Sequence, residues 1–237
     1  MAESTVPEIL RVNLTSSVLS LKCLGVDDVL AFEYLEAPKP EQIKASLRTL
    51  YLLQALDIKG SLTMLGTELS KFPLEPTYAK ALLYAAVAGR DTEADCLSLV
   101  AVMSTENIWL PSRDEQARDR IKKKFEDGLT ESGKSDHSLL VQVYRSWDER
   151  RGLPKRDVLA WCSKHLLQHR ALEMARNIRG QLRSCIDQVK QRVLDDLSVD
   201  IDLPALREKR LRYCLAQAFF MNVCRRVPGS IEPGRGN

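Results

Sequence analysis

The chain has 237 residues, 44% of them hydrophobic, 28% charged and 6% aromatic, which allows one large domain or two to three small ones around a real core. Eleven glycines and ten prolines suit a helix-rich fold better than a sandwich or barrel and exclude collagen, coiled coil and disorder. Net charge is +3, but residues 1–110 carry 9 Lys+Arg against 14 Asp+Glu while residues 111–237 carry 26 against 18, leaving the halves at −5 and +8. Such an excess permits a polyanion partner for the second half; a merely solvated basic surface produces the same count.

No apolar run approaches the ~20 residues of a membrane span, and Met1 to Pro7 has neither a basic region nor a hydrophobic stretch. The expectation is an intracellular protein of nucleus or cytoplasm, without membrane contact. Cys23, Cys96, Cys162, Cys185, Cys214 and Cys224 are scattered, mostly at apolar positions of helical patterns, which argues against a disulfide framework.

In chain order, Ile9, Leu10, Leu14, Val18, Leu21 and Leu24 predict a first helix from Pro7 to Leu24, with Pro7 in its first turn and Gly25 at its stop. Ala37-Pro38-Lys39-Pro40 breaks the chain and marks a boundary. Ile43, Leu47, Leu50, Leu53 and Leu56 then predict a helix from Glu41 to Leu56, followed by a turn through Gly60, a short strand Ser61-Leu62-Thr63 and a helix from Leu65 to Phe72, stopped by Pro73 and Pro76. Helix, turn, short strand, helix and a strand-like wing is the plan of a winged-helix module, which a small helical hairpin imitates on pattern alone.

Beyond Pro76 the text is helical. Segments Tyr78 to Ala88 and Glu93 to Met103 flank Gly89, Asn107 to Pro111 form a loop, and helices follow over Glu115 to Phe125, Ser138 to Arg151, Val158 to Gln168 and Ala171 to Val193. A last helix, Asp202 to Val223, is entered through Pro204. No fixed repeat period is visible, so the reading is a compact helical array and not a solenoid.

No Gly-rich loop ending in Gly-Lys-Ser/Thr is present to wrap nucleotide phosphates, and no catalytic triad is argued by spacing. Asp114-Glu115-Gln116-Ala117 resembles an acidic metal motif but opens a basic helix, where carboxylates suit the positive end of the dipole. Cys162, His165 and His169, at i, i+3 and i+7 of one predicted helix, approach zinc-ligand spacing without an evident fourth ligand. A core cysteine with marginal histidines fits as well, and no metal, cofactor or catalytic residue is assigned. His137 follows Asp136, a candidate N-cap.

The helix from Ala171 carries the more informative pattern. At about 100° per residue Ala175, Leu182, Ile186, Val189 and Val193 share one face, flanked by a stripe of Arg176, Arg179, Arg183 and Lys190. The stripe suits phosphates, each contact adding salt-dependent affinity through counterion release, or equally a solvated face paired with acids elsewhere.

Longer stretches add a family. PEILRVNLTSSVLSLKCLG (Pro7 to Gly25) resembles the segment that closes the second RecA-like domain of DEAH-box (DEAH/RHA) RNA helicases. LYLLQALDIKGSLTMLGTELSKFPLEP (Leu50 to Pro76) is similar to that family's winged-helix text. MSTENIWLP (Met103 to Pro111), RIKKKF (Arg120 to Phe125), SDHSLLVQVYRSW (Ser135 to Trp147), WCSKHLLQHRAL (Trp161 to Leu172) and IRGQL (Ile178 to Leu182) resemble landmarks of its ratchet domain. CLAQAFFMNVCRR (Cys214 to Arg226) resembles the helix that leads toward its OB-fold. The chain departs from the family in having Ser135 where Gly usually precedes Asp-His, and Asn222-Val223-Cys224 where Asn-Ala-Ala is frequent.

The resemblance implies a mainly α fold: residues 1–36 ending a RecA-like domain with its linker, 37–77 a winged helix, 78–195 a helical ratchet, and 196–237 a helix toward an OB-fold plus a flexible tail. The family's phosphate loop, Asp-Glu-Ala-His motif and arginine finger, which hold ATP and Mg²⁺, lie upstream of the first landmark, so an internal piece without ATPase activity of its own is expected. The implied role is an RNA-binding accessory portion of an ATP-dependent helicase that lines a single-stranded RNA channel and docks G-patch regulators, acting as a monomer. Arg170, Arg176, Arg179 and Arg183 are the candidates for RNA phosphates, and His137 and Asn107 for bases or sugars. A helical protein-interaction scaffold without nucleic-acid binding is the alternative.

Overall fold

A computed structural model describes residues 13–112, 114–130, 134–197 and 204–224, except for the side chains of Lys190, Gln191, residues 193–197 and Glu208. Ten α-helices occupy these residues: α1 Thr15–Cys23, α2 Pro40–Leu52, α3 Met64–Leu69, α4 Pro76–Val87, α5 Arg90–Met103, α6 Glu115–Glu126, α7 Asp136–Asp148, α8 Lys155–Lys164, α9 His169–Leu197 and α10 Arg207–Phe219. A 3₁₀ turn, Phe220–Asn222, follows α10. Residues 1–12, which include the N-terminal part (7–12) of the predicted first helix, lie outside the described residues, as does the expected tail beyond Cys224.

Local chemistry explains the boundaries. Pro40 and Pro76 stand at the first helical positions of α2 and α4, where a missing N–H costs nothing. Thr63 caps α3 by accepting from the Gly66 N–H at 2.9 Å, and Asp114 caps α6 by accepting from the Ala117 N–H at 2.9 Å. At the entrance of α7 the cap is Ser135, not Asp136: the serine hydroxyl accepts from the Ser138 N–H at 3.2 Å and Asp136 is already helical. Gly89, at φ 113°, turns the chain between α4 and α5 in a conformation closed to other residues.

The expected strand and wing do not form as strands. Among the described residues the β pairing consists of two isolated bridges, Leu56 with Leu62 and Trp109 with Leu167. Residues 61–63 contribute a single bridge because Thr63 turns at once into the cap of α3, its hydroxyl also donating to the Gln54 carbonyl at 2.7 Å. Gly66 is required here: a Cβ on it would lie 2.1 Å from the Ala55 carbonyl oxygen.

Two apolar clusters form the core. One joins α1–α4 with α5, the far part of α9 and α10, through Leu50, Leu82, Leu97, Ile186 and Cys214 among others. The second joins the end of α5 with α6, α7, α8 and the start of α9, through Phe125, Tyr144, Trp147, Cys162 and Leu172. Helix α9 serves both, presenting Ala171, Leu172 and Ala175 to the second and Leu182, Ile186 and Val189 to the first. At 1.5 Å per residue its 29 residues run about 43 Å, so one rigid element aligns both clusters.

Candidate nucleic-acid interface

The start of α9 is set by a turn that breaks the helix expected from Val158 to Gln168. Helix α8 stops at Lys164, Leu166 adopts the left-handed conformation at φ 52°, and α9 begins at His169. The turn is held by the loop after α5: the Leu110 N–H donates to the Leu166 carbonyl and the Gln168 N–H to the Ile108 carbonyl, both at 2.8 Å. Asn107 and Arg170 therefore stand at the same corner of the molecule.

The break also separates the three metal-ligand candidates, which do not share one helix. Cys162 is buried in α8, and burial pushes its thiol up to about 11. His165 stacks on Trp161, ring centroids 4.4 Å apart, and its Nδ1 lies 2.8 Å from the Trp161 carbonyl. His169 accepts at Nδ1 from the Trp147 indole N–H at 3.2 Å. No group of His, Cys, Asp and Glu suited to a metal ion occurs among the described residues.

On α9 the basic residues divide by how far they turn from the buried face. Arg176 and Arg183, seven positions apart, differ by only about 20° around the axis, whereas Arg170 stands roughly 120° away from them. Arg170 and Arg183 are exposed and form no ion pair among the described residues. Arg176 is half-buried and ion-paired with Glu173 of its own helix at 2.9 Å. Arg179 turns inward: its Nε donates to the Ser98 hydroxyl of α5 at 3.0 Å, and its guanidinium carbon lies 5.9 Å from the Tyr144 ring centre of α7. The Lys190 side chain lies outside the described residues.

Tyr144 sits beneath this flank, 2% exposed, with a hydroxyl that has no hydrogen-bond partner among the described residues. Burial raises its pKa and the Asp148 carboxylate raises it further, while Arg179, Arg176 and Arg151 oppose both.

The two loop candidates differ from the arginines and from each other. Asn107 is exposed, and its side-chain carbonyl accepts from the Trp109 N–H at 3.0 Å, which spends that oxygen on the loop's own turn. His137, exposed in the first turn of α7, borders a mainly apolar pocket of about 420 Å³ with Tyr78, Met103, Leu215 and Phe219. It is not at the Asn107 corner's bridge nor on the arginine flank of α9.

The residues that order this region were not singled out from the sequence. Asp95 and Ser98 lie on one face of α5. Asp95, 6% exposed, accepts from Arg145 of α7 and from Arg207 of α10, the latter through Nη2 at 2.8 Å and through Nε. Polar residues at positions 91, 95 and 98, which fall on one face of a helix whose second half is otherwise apolar, were the available signal.

Comparison with known proteins agrees with this architecture. Residues 46–74 match the family described as "Helicase associated domain (HA2), winged-helix", and residues 75–140 match "Helicase associated domain (HA2), ratchet-like". The pre-mRNA-splicing factor ATP-dependent RNA helicase prp22 of Schizosaccharomyces pombe is 34% identical over 227 residues, which cover 95% of this chain and 18% of that protein. The probable ATP-dependent RNA helicase DHX40 of Rattus norvegicus is 34% identical over 230 residues, 97% of this chain and 28% of that protein. The chain thus spans less than a third of the length of either relative. Winged-helix and ratchet-like text in this order, over helices packed as described, identifies the chain as the helicase-associated region of the DEAH-box RNA helicase family.

Proposed function

We propose that this chain is an RNA-contacting accessory portion of a DEAH-box helicase, one that lines the path of a single strand and performs no ATP chemistry itself. The observation that carries the reading is the flank of α9: Arg176 and Arg183 point the same way beside a buried face, on a helix that both core clusters hold rigid. Guanidiniums on a rigid support suit backbone phosphates, which are evenly spaced and sequence-independent. Arg170 and exposed Asn107 stand at the start of α9, where a strand leaving the flank would turn around the helix to meet them.

Regulators, on the same proposal, dock on the winged-helix side. A hollow of about 570 Å³ lies between Asp27–Val29, α2 and the turn through Gly60, with Tyr51 and Ile58 exposed at its border. A glycine-rich G-patch segment is the partner that the family resemblance suggests for it.

The scaffold reading is favoured by one observation, the ion pair of Arg176 with Glu173, which partly neutralises the flank. Titrating a labelled single-stranded RNA with the purified chain between 50 and 200 mM salt separates the two. RNA contact predicts an affinity that falls steeply with salt and changes little with sequence. Undetectable binding at the lowest salt, in a protein of intact helicity, leaves the scaffold.

A further inference from the structure

Helix α5 contains the polar residues Asp91, Asp95 and Ser98 at i, i+4 and i+7, so one face of a mostly buried helix is polar. Arginines from three other helices converge on it. Arg145 of α7 and Arg207 of α10 donate to Asp95, Arg207 also reaches the Asp91 carbonyl oxygen at 3.3 Å, and Arg179 of α9 donates to Ser98. These contacts join residues 50, 112, 116 and 81 positions apart, so each fixes one element of tertiary structure against another.

Arg179 differs from its neighbours on α9. Its Nε is taken by Ser98, whose own hydroxyl donates to the Ala94 carbonyl at 2.8 Å, and its planar group lies near the Tyr144 ring. A guanidinium whose Nε is committed to an oriented hydroxyl, with an aromatic ring nearby, is restrained in direction as well as position. Arg176 lies one turn before it and Arg183 one turn after.

Resting on the RNA-contact reading above, we propose that Arg179 is a positioning residue: it latches α9 onto α5 and α7, and thereby sets the direction in which Arg176 and Arg183 face the strand. The polar face of α5 is the anchor, and Asp95 holds α10 in the same way through Arg207. On this assignment Arg179 contributes to affinity without releasing a counterion of its own.

Lysine separates a latch from a phosphate contact, because it replaces a point charge well and a directed Nε hydrogen bond poorly. The full chain is prepared as Arg179→Lys, Arg179→Gln and Ser98→Ala, the last at a buried site with no reach to solvent-borne RNA. Binding to a labelled oligouridylate of about 12 nucleotides is measured against salt, and amide hydrogen exchange is followed through α9.

The latch predicts that Arg179→Lys and Ser98→Ala both lower affinity, by about fivefold at every salt concentration, with the slope of affinity on salt unchanged and exchange in the middle of α9 accelerated. It is overturned if Arg179→Lys keeps the parent affinity while Arg179→Gln lowers the slope by ~0.7, the value of one single-strand phosphate contact. Should the parent chain fail to bind RNA, the RNA reading falls by itself and exchange decides the latch. Accelerated exchange in both Arg179→Lys and Ser98→Ala supports it, and unchanged exchange removes it.

Discussion

The α1–α4 region and the α5–α10 region are both helical and both well buried, yet they dispose of buried polar groups differently. In the first, most such side chains satisfy the backbone, the exception being Glu68 of α3, 3% exposed, which pairs with Lys71 at 2.6 Å and with Arg192 of α9 at 3.7 Å. The Thr63 hydroxyl donates to the Gln54 carbonyl, the Ser46 hydroxyl to Gln42, and Lys80 of α4 donates to the Leu53 carbonyl at the end of α2 at 3.0 Å. In the second, charged side chains satisfy one another across helices, as Asp95 does with Arg145 and Arg207. The first region is therefore shaped mainly by turns and backbone contacts, with the Glu68–Arg192 pair tying it to α9, and the second by pairs distant in sequence. A region held by a few directional pairs can present a fixed charged surface, which is what a strand-contacting flank requires.

The contrast breaks most sharply at Asp95. Asp95→Ala leaves two arginines facing a vacated acceptor site, and removing one partner of a buried pair costs about 3 kcal/mol here, at the low end for such pairs because both arginines are partly exposed. Chemical denaturation would report the loss, and exchange should localise it to α7 and α10. A loss spread instead over α1–α4 would erase the distinction between the regions.

Lys80 tests the first region through pH. It is 3% exposed and burial lowers its pKa from 10.5 to about 8. Between those values the folded chain has released a proton that the unfolded chain still binds, so stability rises with pH across that window; below about pH 8 the burial penalty is fully present and constant. Relative to a Lys80→Met variant, the parent should gain up to ~3 kcal/mol from pH 8 to 10.5. Parallel stability curves for the two proteins would mean that Lys80 carries no penalty for being charged.

A smaller effect is expected at Gly66. Gly66→Ala places a methyl group against the Ala55 carbonyl, and the backbone must shift, at about 2 kcal/mol. Thermal unfolding measures this directly. A neutral result would show that α3 slides freely on the turn before it, contrary to a region fixed by local backbone contacts.

How much of this was legible in the sequence follows the same division. The helices from α2 to α7 were readable because Pro40, Pro76, Gly89 and Asp114 punctuate them and apolar residues recur at helical spacing. The position of the break between α8 and α9 was not: it is expected at residues 169–170 and falls at 165–168, because its left-handed residue is Leu166, a type that gives no turn signal. Placing that break too late brought Cys162, His165 and His169 into one apparent helical register. The arginine flank was visible as a pattern, but the split between inward Arg179 and outward Arg183 depends on Ser98, 81 positions before Arg179. Periodicity shows which face a residue occupies; its partner across the core is set by tertiary structure.

The most direct test of the account is the salt dependence of single-stranded RNA binding in the double variant Arg176→Gln, Arg183→Gln. If these side chains contact backbone phosphates, binding weakens across unrelated sequences and the slope of log affinity on log salt flattens by about 1.4, at ~0.7 for each lost contact. Helicity should persist, since both positions flank the buried face and glutamine is a good helix former. Unchanged affinity and slope in a variant of parental helicity would contradict the account and return the flank of α9 to solvent.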